Sequence, residues 1–352
     1  MNSSVASHMA GLAYAYGQPQ CHGAYKVTPE DFVVEERIAF ELSGEGEHLW
    51  CWVEKRGENT DWVARQLAQW AGVPVSRVGV AGQKDRHAVT RQWFSIQLPG
   101  KQDPEIAAFD HENACILKCV RHQRKLQRGG LSGNRFEITL RQLSGDCADL
   151  EQRLFAIQQG GVPNYFGEQR FGRNENNLRQ AGALFSGELK RVKRTQRSLI
   201  ISAVRSWFFN RVLSQRIEQA CWNQFLPGDV LQLTGSTRWF ADDGSDDLAE
   251  RVASGDLSPT GPLPGQGDSP SKNRAGALEA SVLQERPEWL TGLEKLGLKQ
   301  DRRALVLRPG DFNWEWLKSD EFNECHPDLK LCFSLPSGSF ATAVIRELIQ
   351  TQ

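Results

Sequence analysis

Asp85 is a carboxylate set among cations. Lys84 precedes it, Arg86 and His87 follow, and the polar loop that carries all four runs between two apolar, strand-like segments, residues 78–81 and 93–98. A loop carboxylate held between buried strands and crowded by positive charge is suited to chemistry, because opposite charge keeps it ionised and therefore nucleophilic or basic. The same pattern describes an ordinary charged turn in which Asp85 accepts hydrogen bonds from nearby backbone amides. The spacing alone leaves both readings open. Several other chemistries are excluded. Gly82-Gln-Lys-Asp85 lacks the phosphate-loop spacing, and the chain has no Gly-x-Gly-x-x-Gly after a strand, no His-Glu-x-x-His and no Gly-x-Ser-x-Gly. His87 is one of seven histidines and has no partner in sequence, so it reads as structural.

The elements that must position this loop occupy the first third of the chain. Residues 31–36 and 49–53 are rich in β-branched and aromatic side chains and read as strands. Asn59, Thr60 and Asp61 offer a cap to a helix in which Val63, Leu67 and Trp70 recur at helical spacing, and Gly72 and Pro74 end it. Phe136, Ile138 and Leu140 alternate with polar residues across 135–141, the pattern of a half-buried strand. Together these segments predict one sheet with a helix packed on it.

Beyond about residue 150 the texture changes. Residues 150–159, 174–186 and 198–224 read as helices, and 231–233 as a short strand. Twelve of the eighteen residues 254–271 are Gly, Pro or Ser, which predicts a linker or a long surface loop. A helix over 288–296 and a strand over 304–307 follow. The final strand and helix, 331–335 and 340–349, are too little for a domain of their own and are expected to complete the first sheet. The chain then has a discontinuous domain, residues 1–158 plus 308–352, around an inserted domain, 159–307. A length of 352 residues agrees with about two domains.

Net charge is −1, but its distribution is uneven. Residues 118–128, which include Arg124 and Lys125, hold five Lys/Arg and no acid. Residues 190–197, which include Lys190, Lys193 and Arg194, hold five more, and an acidic stretch at 242–250 balances them. Such patches suit a polyanion bound on one face, and equally suit solvated helix faces. Asn164-Tyr-Phe-Gly-Glu-Gln-Arg170-Phe-Gly172 sets three aromatics beside Arg170, either as a stacking platform for unpaired bases or as a packed loop with its rings in the core. Ser337-Gly-Ser-Phe-Ala341 is an anion site at a helix start or a plain cap. The eight cysteines include no Cys-x-x-Cys pair and no zinc set, which predicts free thiols, mostly in the core, and a reducing compartment. No run of about 18 apolar residues is present, and the Ser-rich residues 1–10 lack the features of a signal peptide.

Taken together, the chain resembles the TruD family of tRNA pseudouridine synthases. The resemblance rests on Lys26-Val-Thr-Pro-Glu-Asp-Phe32, Ala81-Gly-Gln-Lys-Asp85 with Ala88-Val-Thr90, Gly133-Asn-Arg-Phe136, and Val162-Pro-Asn-Tyr-Phe-Gly-Glu-Gln-Arg-Phe-Gly172. Gly228-Asp-Val-Leu-Gln-Leu233, Pro259-Thr-Gly-Pro-Leu263 and Leu335-Pro-Ser-Gly-Ser-Phe-Ala-Thr342 complete the set, in family order. It implies an α+β fold of pseudouridine-synthase type: a mixed, largely antiparallel sheet with flanking helices, interrupted by an inserted α/β domain. It implies isomerisation of uridine, typically uridine 13 of transfer RNA, without metal or cofactor. On this resemblance Asp85 is the catalytic residue and Lys26, Phe32, Lys84, Asn134 and Phe136 form the substrate pocket. Lys84, Arg86 or Lys26 keeps Asp85 ionised, while Arg124, Lys125, Arg170, Lys190, Lys193 and Arg194 hold RNA phosphates. A cytoplasmic monomer with no obligate protein partner and no membrane attachment is expected. Two other readings stand beside it: a structured-RNA binder that kept the pocket without its chemistry, and a hydrolase using Asp85 with His87, for which no second carboxylate or nucleophile stands at motif spacing.

Overall fold

The computed structural model describes residues 11–127, 129–189, 191–317 and 327–351, so Lys190 and the Ser-rich residues 1–10 lie outside the described residues. The chain divides into two units. One holds Gln20–Leu150, Pro309–Gly338 and residues 349–351, and the other holds residues 11–19, Glu151–Arg308 and Ser339–Leu348.

The first unit is built on one sheet of ten strands among the described residues. Its main path runs Gly310–Trp316, Leu329–Pro336, Gly133–Gly145, Phe32–Arg37, Val89–Gln97, His48–Arg56 and Ala114–His122. Among the described residues of this sheet only two pairings are parallel, Phe32–Arg37 with Val89–Gln97 and Cys21–Ala24 with Gln350–Thr351, so the sheet is mixed and largely antiparallel. Helix Thr60–Trp70 lies on one face, where Val63, Ala64 and Leu67 pack against Leu49, Cys51, Val53, Phe94 and Ile96. Trp50, Trp93, Ala81 and Leu126 cover the other face. Covering both faces explains why His48–Arg56 reads as nearly continuous apolar sequence rather than clean alternation.

The second unit packs helix Arg194–Glu218 on a four-stranded antiparallel sheet ordered Trp239–Ala241, Val230–Leu233, Leu257–Leu263, Asp301–Ala304. Its core gathers Ile200, Val204, Phe208, Phe209 and Leu213 with Tyr165, Phe166 and Phe171. The structure overturns the expected linker here. Leu257–Leu263 is a buried internal strand. Its composition follows from packing: a β-carbon on Gly261 would sit 2.9 Å from both the Phe209 ring and Leu305. The carbonyl of Pro259 accepts the Leu305 amide at 2.8 Å, and Thr260 Oγ1 donates to the Val230 carbonyl at 2.6 Å. The helix expected over 198–224 begins earlier and stops at Glu218, where Ala220 takes a left-handed φ of 52° and the chain folds back.

The units also depart from the expected bounds. Strand Leu329–Pro336 joins the large sheet, but helix Ala341–Leu348 and residues 11–19 pack with the middle of the chain. Their polar groups explain why. The Arg346 guanidinium lies 3.7 Å over the Tyr14 ring, Glu347 Oε2 accepts the Ala15 amide at 2.9 Å, and Tyr165 donates to the Ala13 carbonyl at 3.0 Å. Among the described residues no helix is long and apolar enough to cross a membrane.

Candidate active site

The Lys26 to Phe32 motif is a turn that enters a strand. Pro29 starts a short 3-10 turn, and the buried Asp31 accepts the Thr28 amide at 2.8 Å while Arg141 donates to its other oxygen at 2.7 Å. With that turn fixed, Phe32, Val34 and Glu36 alternate onto one face of strand Phe32–Arg37, opposite Ile138, Phe136 and Asn134 of the neighbouring strand. Gly133 is required beside Asn134, since a β-carbon there would collide with the carbonyl of Leu335 on the next strand. The rings form a cluster. Phe136 is stacked on Phe333 at 5.4 Å and meets Phe32 edge-on at 6.1 Å, and Tyr25 tilts against Phe32 at 6.2 Å.

Residues 83–87 of the Asp85 loop are each anchored. Gln83 donates to Asp61 at 2.8 Å, the Lys84 amide to Thr60 Oγ1 at 3.0 Å, and Arg86 to the Gly57 carbonyl at 3.0 Å. Lys55 Nζ donates to the backbone carbonyl of Asp85 at 2.8 Å. The Asp85 carboxylate is both a turn acceptor and the partner of a cation. One oxygen accepts the His87 amide at 3.1 Å, closing a turn, and the other pairs with the Lys26 ammonium. Lys26 reaches it from a left-handed backbone, φ 62°, which costs a non-glycine residue about 1–2 kcal/mol. Its ammonium also lies 4.2 Å from the centre of the Phe32 ring, joining the carboxylate to the aromatic cluster.

Burial pushes the Asp85 carboxyl up, but the Lys26 hydrogen bond and charge, with the His87 amide, outweigh it and hold the group below the usual carboxylate range. Of the three cations expected to keep Asp85 ionised, Lys26 is the one bonded to it. Arg86 is turned to Gly57, and Lys84 reaches Glu36 and Asn134, each at 2.8 Å. Glu36, its side chain fully buried, is pushed up by desolvation, with Lys84 opposing.

Lys55, Glu36, Thr60 and Phe333 escape a linear reading. Lys55 and Glu36 do carry one signal: each continues an inward-facing stripe, Leu49-x-Cys51-x-Val53-x-Lys55 and Phe32-x-Val34-x-Glu36. Lys55 is 1% exposed, and burial lowers its pKa to about 8. The folded protein therefore releases this proton before the unfolded chain does, and stability rises with pH between about 8 and the unfolded lysine value. The expected gain is at most about 1.4 kcal/mol per pH unit. Urea unfolding at several pH values above neutrality should show that rise in the wild type and not in Lys55→Met. Equal slopes would contradict it.

The remaining site expectations separate by environment. Arg124, Lys125, Lys193 and Arg194 are exposed, with Lys125 Nζ donating to the Ser76 carbonyl at 3.0 Å. Arg170 is half-buried, 5.0 Å from the centre of the Phe166 ring, and donates to Ser202 at 2.9 Å. Tyr165, Phe166 and Phe171 are buried, so their rings serve the core rather than an open platform. Of the seven described cysteines, none in a disulfide, only Cys21, Cys51 and Cys221 are buried, fewer than expected. Among the described residues no group of three or more His, Cys, Asp or Glu is placed to hold a metal ion.

The family description tRNA pseudouridine synthase D (TruD) matches this chain over residues 9–187 and 176–348. A tRNA pseudouridine synthase D of Hydrogenovibrio crunogenus is 53% identical over 344 residues, covering 98% of this chain and 97% of its own. One from Methylococcus capsulatus is 46% identical over 340 residues, covering 96% and 94%. The fold is similar to the crystal structure of a Methanosarcina mazei protein assigned as tRNA pseudouridine synthase D, with a TM-score of 0.78 at 24% identity over 96% of this chain and 95% of that one. The ionised loop carboxylate beside its aromatic cluster thus sits within a whole-length family match, and the chain belongs to the TruD family of tRNA pseudouridine synthases.

Proposed function

We propose that this protein converts uridine 13 of transfer RNA to pseudouridine, with Asp85 as its catalytic carboxylate. The observation that carries the reading is the Lys26–Asp85 pair set against Phe32 and Phe136. The reaction is an isomerisation. The bond from N1 to C1′ breaks, a bond from C5 to C1′ forms, C5 loses a proton and N1 gains one. Nothing is oxidised and no group is carried away, so a single well-placed carboxylate is sufficient equipment.

The target base must first leave its stack, at a cost of a few kcal/mol. The aromatic cluster offers it apolar surface, and Asn134 offers an amide for its polar edge. Attack of Asp85 at C1′, attack on the base and proton removal at C2′ all need the carboxylate ionised, and the Lys26 ammonium supports that form. Incubation with tRNA labelled with tritium at uridine C5 tests the reading. Tritium release with pseudouridine in the product is expected, and no release from any tRNA would overturn it.

The exposed cations at the start of helix Arg194–Glu218 fit RNA phosphates. Lys193, Arg194 and Arg197 sit at the positive end of the helix dipole with no acid in the first turn, where cations do not stabilise a helix. Lys193→Glu with Arg194→Glu is expected to weaken tRNA binding and to lower the slope of log affinity against log salt by roughly 1–2. An unchanged slope would remove this cluster from the RNA path. The protein acts in the cytoplasm as a monomer in this reading, and light scattering of the free protein and its tRNA complex checks the second point.

A further inference from the structure

We propose that Lys84 and Glu36 are positioning residues that lock the Asn134 amide as a hydrogen-bond donor, so that the site reads the C4 carbonyl of a flipped uracil and rejects an amino group in its place. The inference rests on the uridine-isomerase reading and adds a source of base specificity to it.

An ammonium has three donors and no acceptor. Lys84 Nζ lies 2.8 Å from Asn134 Oδ1, so that face of the amide must be its oxygen, and the NH2 end is what remains for a ligand. Neither partner of this contact is free to turn. The Lys84 ammonium is held as an ion pair by Glu36 Oε1 at 2.8 Å, and Glu36 Oε2 accepts the Trp93 amide at 2.9 Å. The Lys84 backbone amide is held by Thr60 Oγ1, which in turn donates to the buried Gln92 at 3.0 Å. Asn134 itself is partly exposed and stands two residues from Phe136 on the same face of its strand. The amide is oriented from inside the protein while its donor end is left for the pocket.

The chemistry of the base gives this orientation a purpose. A half-turn of uracil about the axis through N3 and C6 exchanges N1 with C5, as the reaction requires. It also exchanges the C4 carbonyl with the C2 carbonyl. A fixed donor beside the C4 oxygen of uridine therefore finds a carbonyl oxygen there again in pseudouridine. A reversed amide would set oxygen against oxygen in both states. Cytosine carries an amino group at C4 and would set donor against donor, leaving both unsatisfied.

Two unreactive competitors isolate the effect: tRNA with pseudouridine at the target position and tRNA with cytidine there. With the wild type, the cytidine tRNA is expected to inhibit about tenfold more weakly than the pseudouridine tRNA, the scale set by one unpaired polar contact. In Lys84→Met the amide can turn over and the ratio should fall toward one, with kcat reduced. Asn134→Asp keeps the size of the side chain and an acceptor for Lys84, but offers the base no donor, and should reverse the preference toward cytidine. It decides the matter if Lys84→Met does not fold. A wild-type ratio of one, or an unchanged ratio in the variants, overturns the inference. Failure of the wild type to make pseudouridine is a separate result and counts against the enzyme reading instead.

Discussion

Asp85→Asn is expected to lower pseudouridine formation by roughly 10⁴-fold or more, the scale on which a nucleophile or base that cannot be replaced is lost. The amide nearly matches the carboxylate in shape and can still accept the His87 amide, so the loop and its anchors at Lys55, Thr60 and Gly57 should persist. What disappears is the negative charge and with it the reactive lone pair. Lys26 loses its counter-ion, but its side chain stays partly exposed, so solvent screens the loss and keeps its cost modest. Binding of tRNA should change little, because most of its affinity comes from phosphates. Single-turnover rates and equilibrium binding measured on the same preparation separate these effects. Weak binding with an intact chemical step would place the role of Asp85 in recognition.

Lys26→Met is expected to have the next largest effect, and its signature is a pH profile. In the wild type the Lys26 charge keeps Asp85 ionised well into acid, so activity should survive there and fall only below the ordinary carboxylate range. Without Lys26 the desolvation that pushes Asp85 up is opposed by less, so the acid limb moves to higher pH. At neutral pH the carboxylate remains ionised but is less firmly held, and a further loss of roughly ten- to a hundredfold in kcat is expected. Lys26→Arg should restore much of the acid limb, since the charge returns. An acid limb in Lys26→Met unchanged from the wild type would show that another group keeps Asp85 ionised.

Much of this site was legible because its parts lie in compact local motifs. Lys26 and Phe32 frame one turn, Asp85 stands in one loop, and Asn134 and Phe136 share one strand face two residues apart. What a linear reading could not supply is which cation meets the carboxylate. Three lie within the candidate set, and the one bonded to it, Lys26, comes from 59 residues away rather than from either neighbour. Lys84, adjacent in sequence, is turned into the sheet by Glu36. Lys55 follows the same logic: within Glu54-Lys55-Arg56 it looks like the solvated end of a strand, and only the parity it shares with Leu49, Cys51 and Val53 marks it as inward-facing.

Composition misleads more than spacing does in this chain. Glycine and proline over 254–271 suggested a linker because those residues usually punctuate structure. In Leu257–Leu263 they answer a packing demand instead: Gly261 lets the Phe209 ring approach an internal strand. Apolar periodicity carries no trace of such a contact. Assignment of the last helix failed for a related reason, because Ala341–Leu348 is held by Tyr14, Ala15 and Tyr165, residues that no local pattern links to it.

A carboxylate at position 85 that isomerises a specific uridine in transfer RNA must leave pseudouridine only where that carboxylate is intact. Carbodiimide modification followed by primer extension, applied to unmodified tRNA after incubation with the wild type or Asp85→Asn, tests it directly. A stop one nucleotide 3′ of position 13 with the wild type and none with the variant is the expected result. No pseudouridine with either protein, or an equal stop with both, would contradict the account.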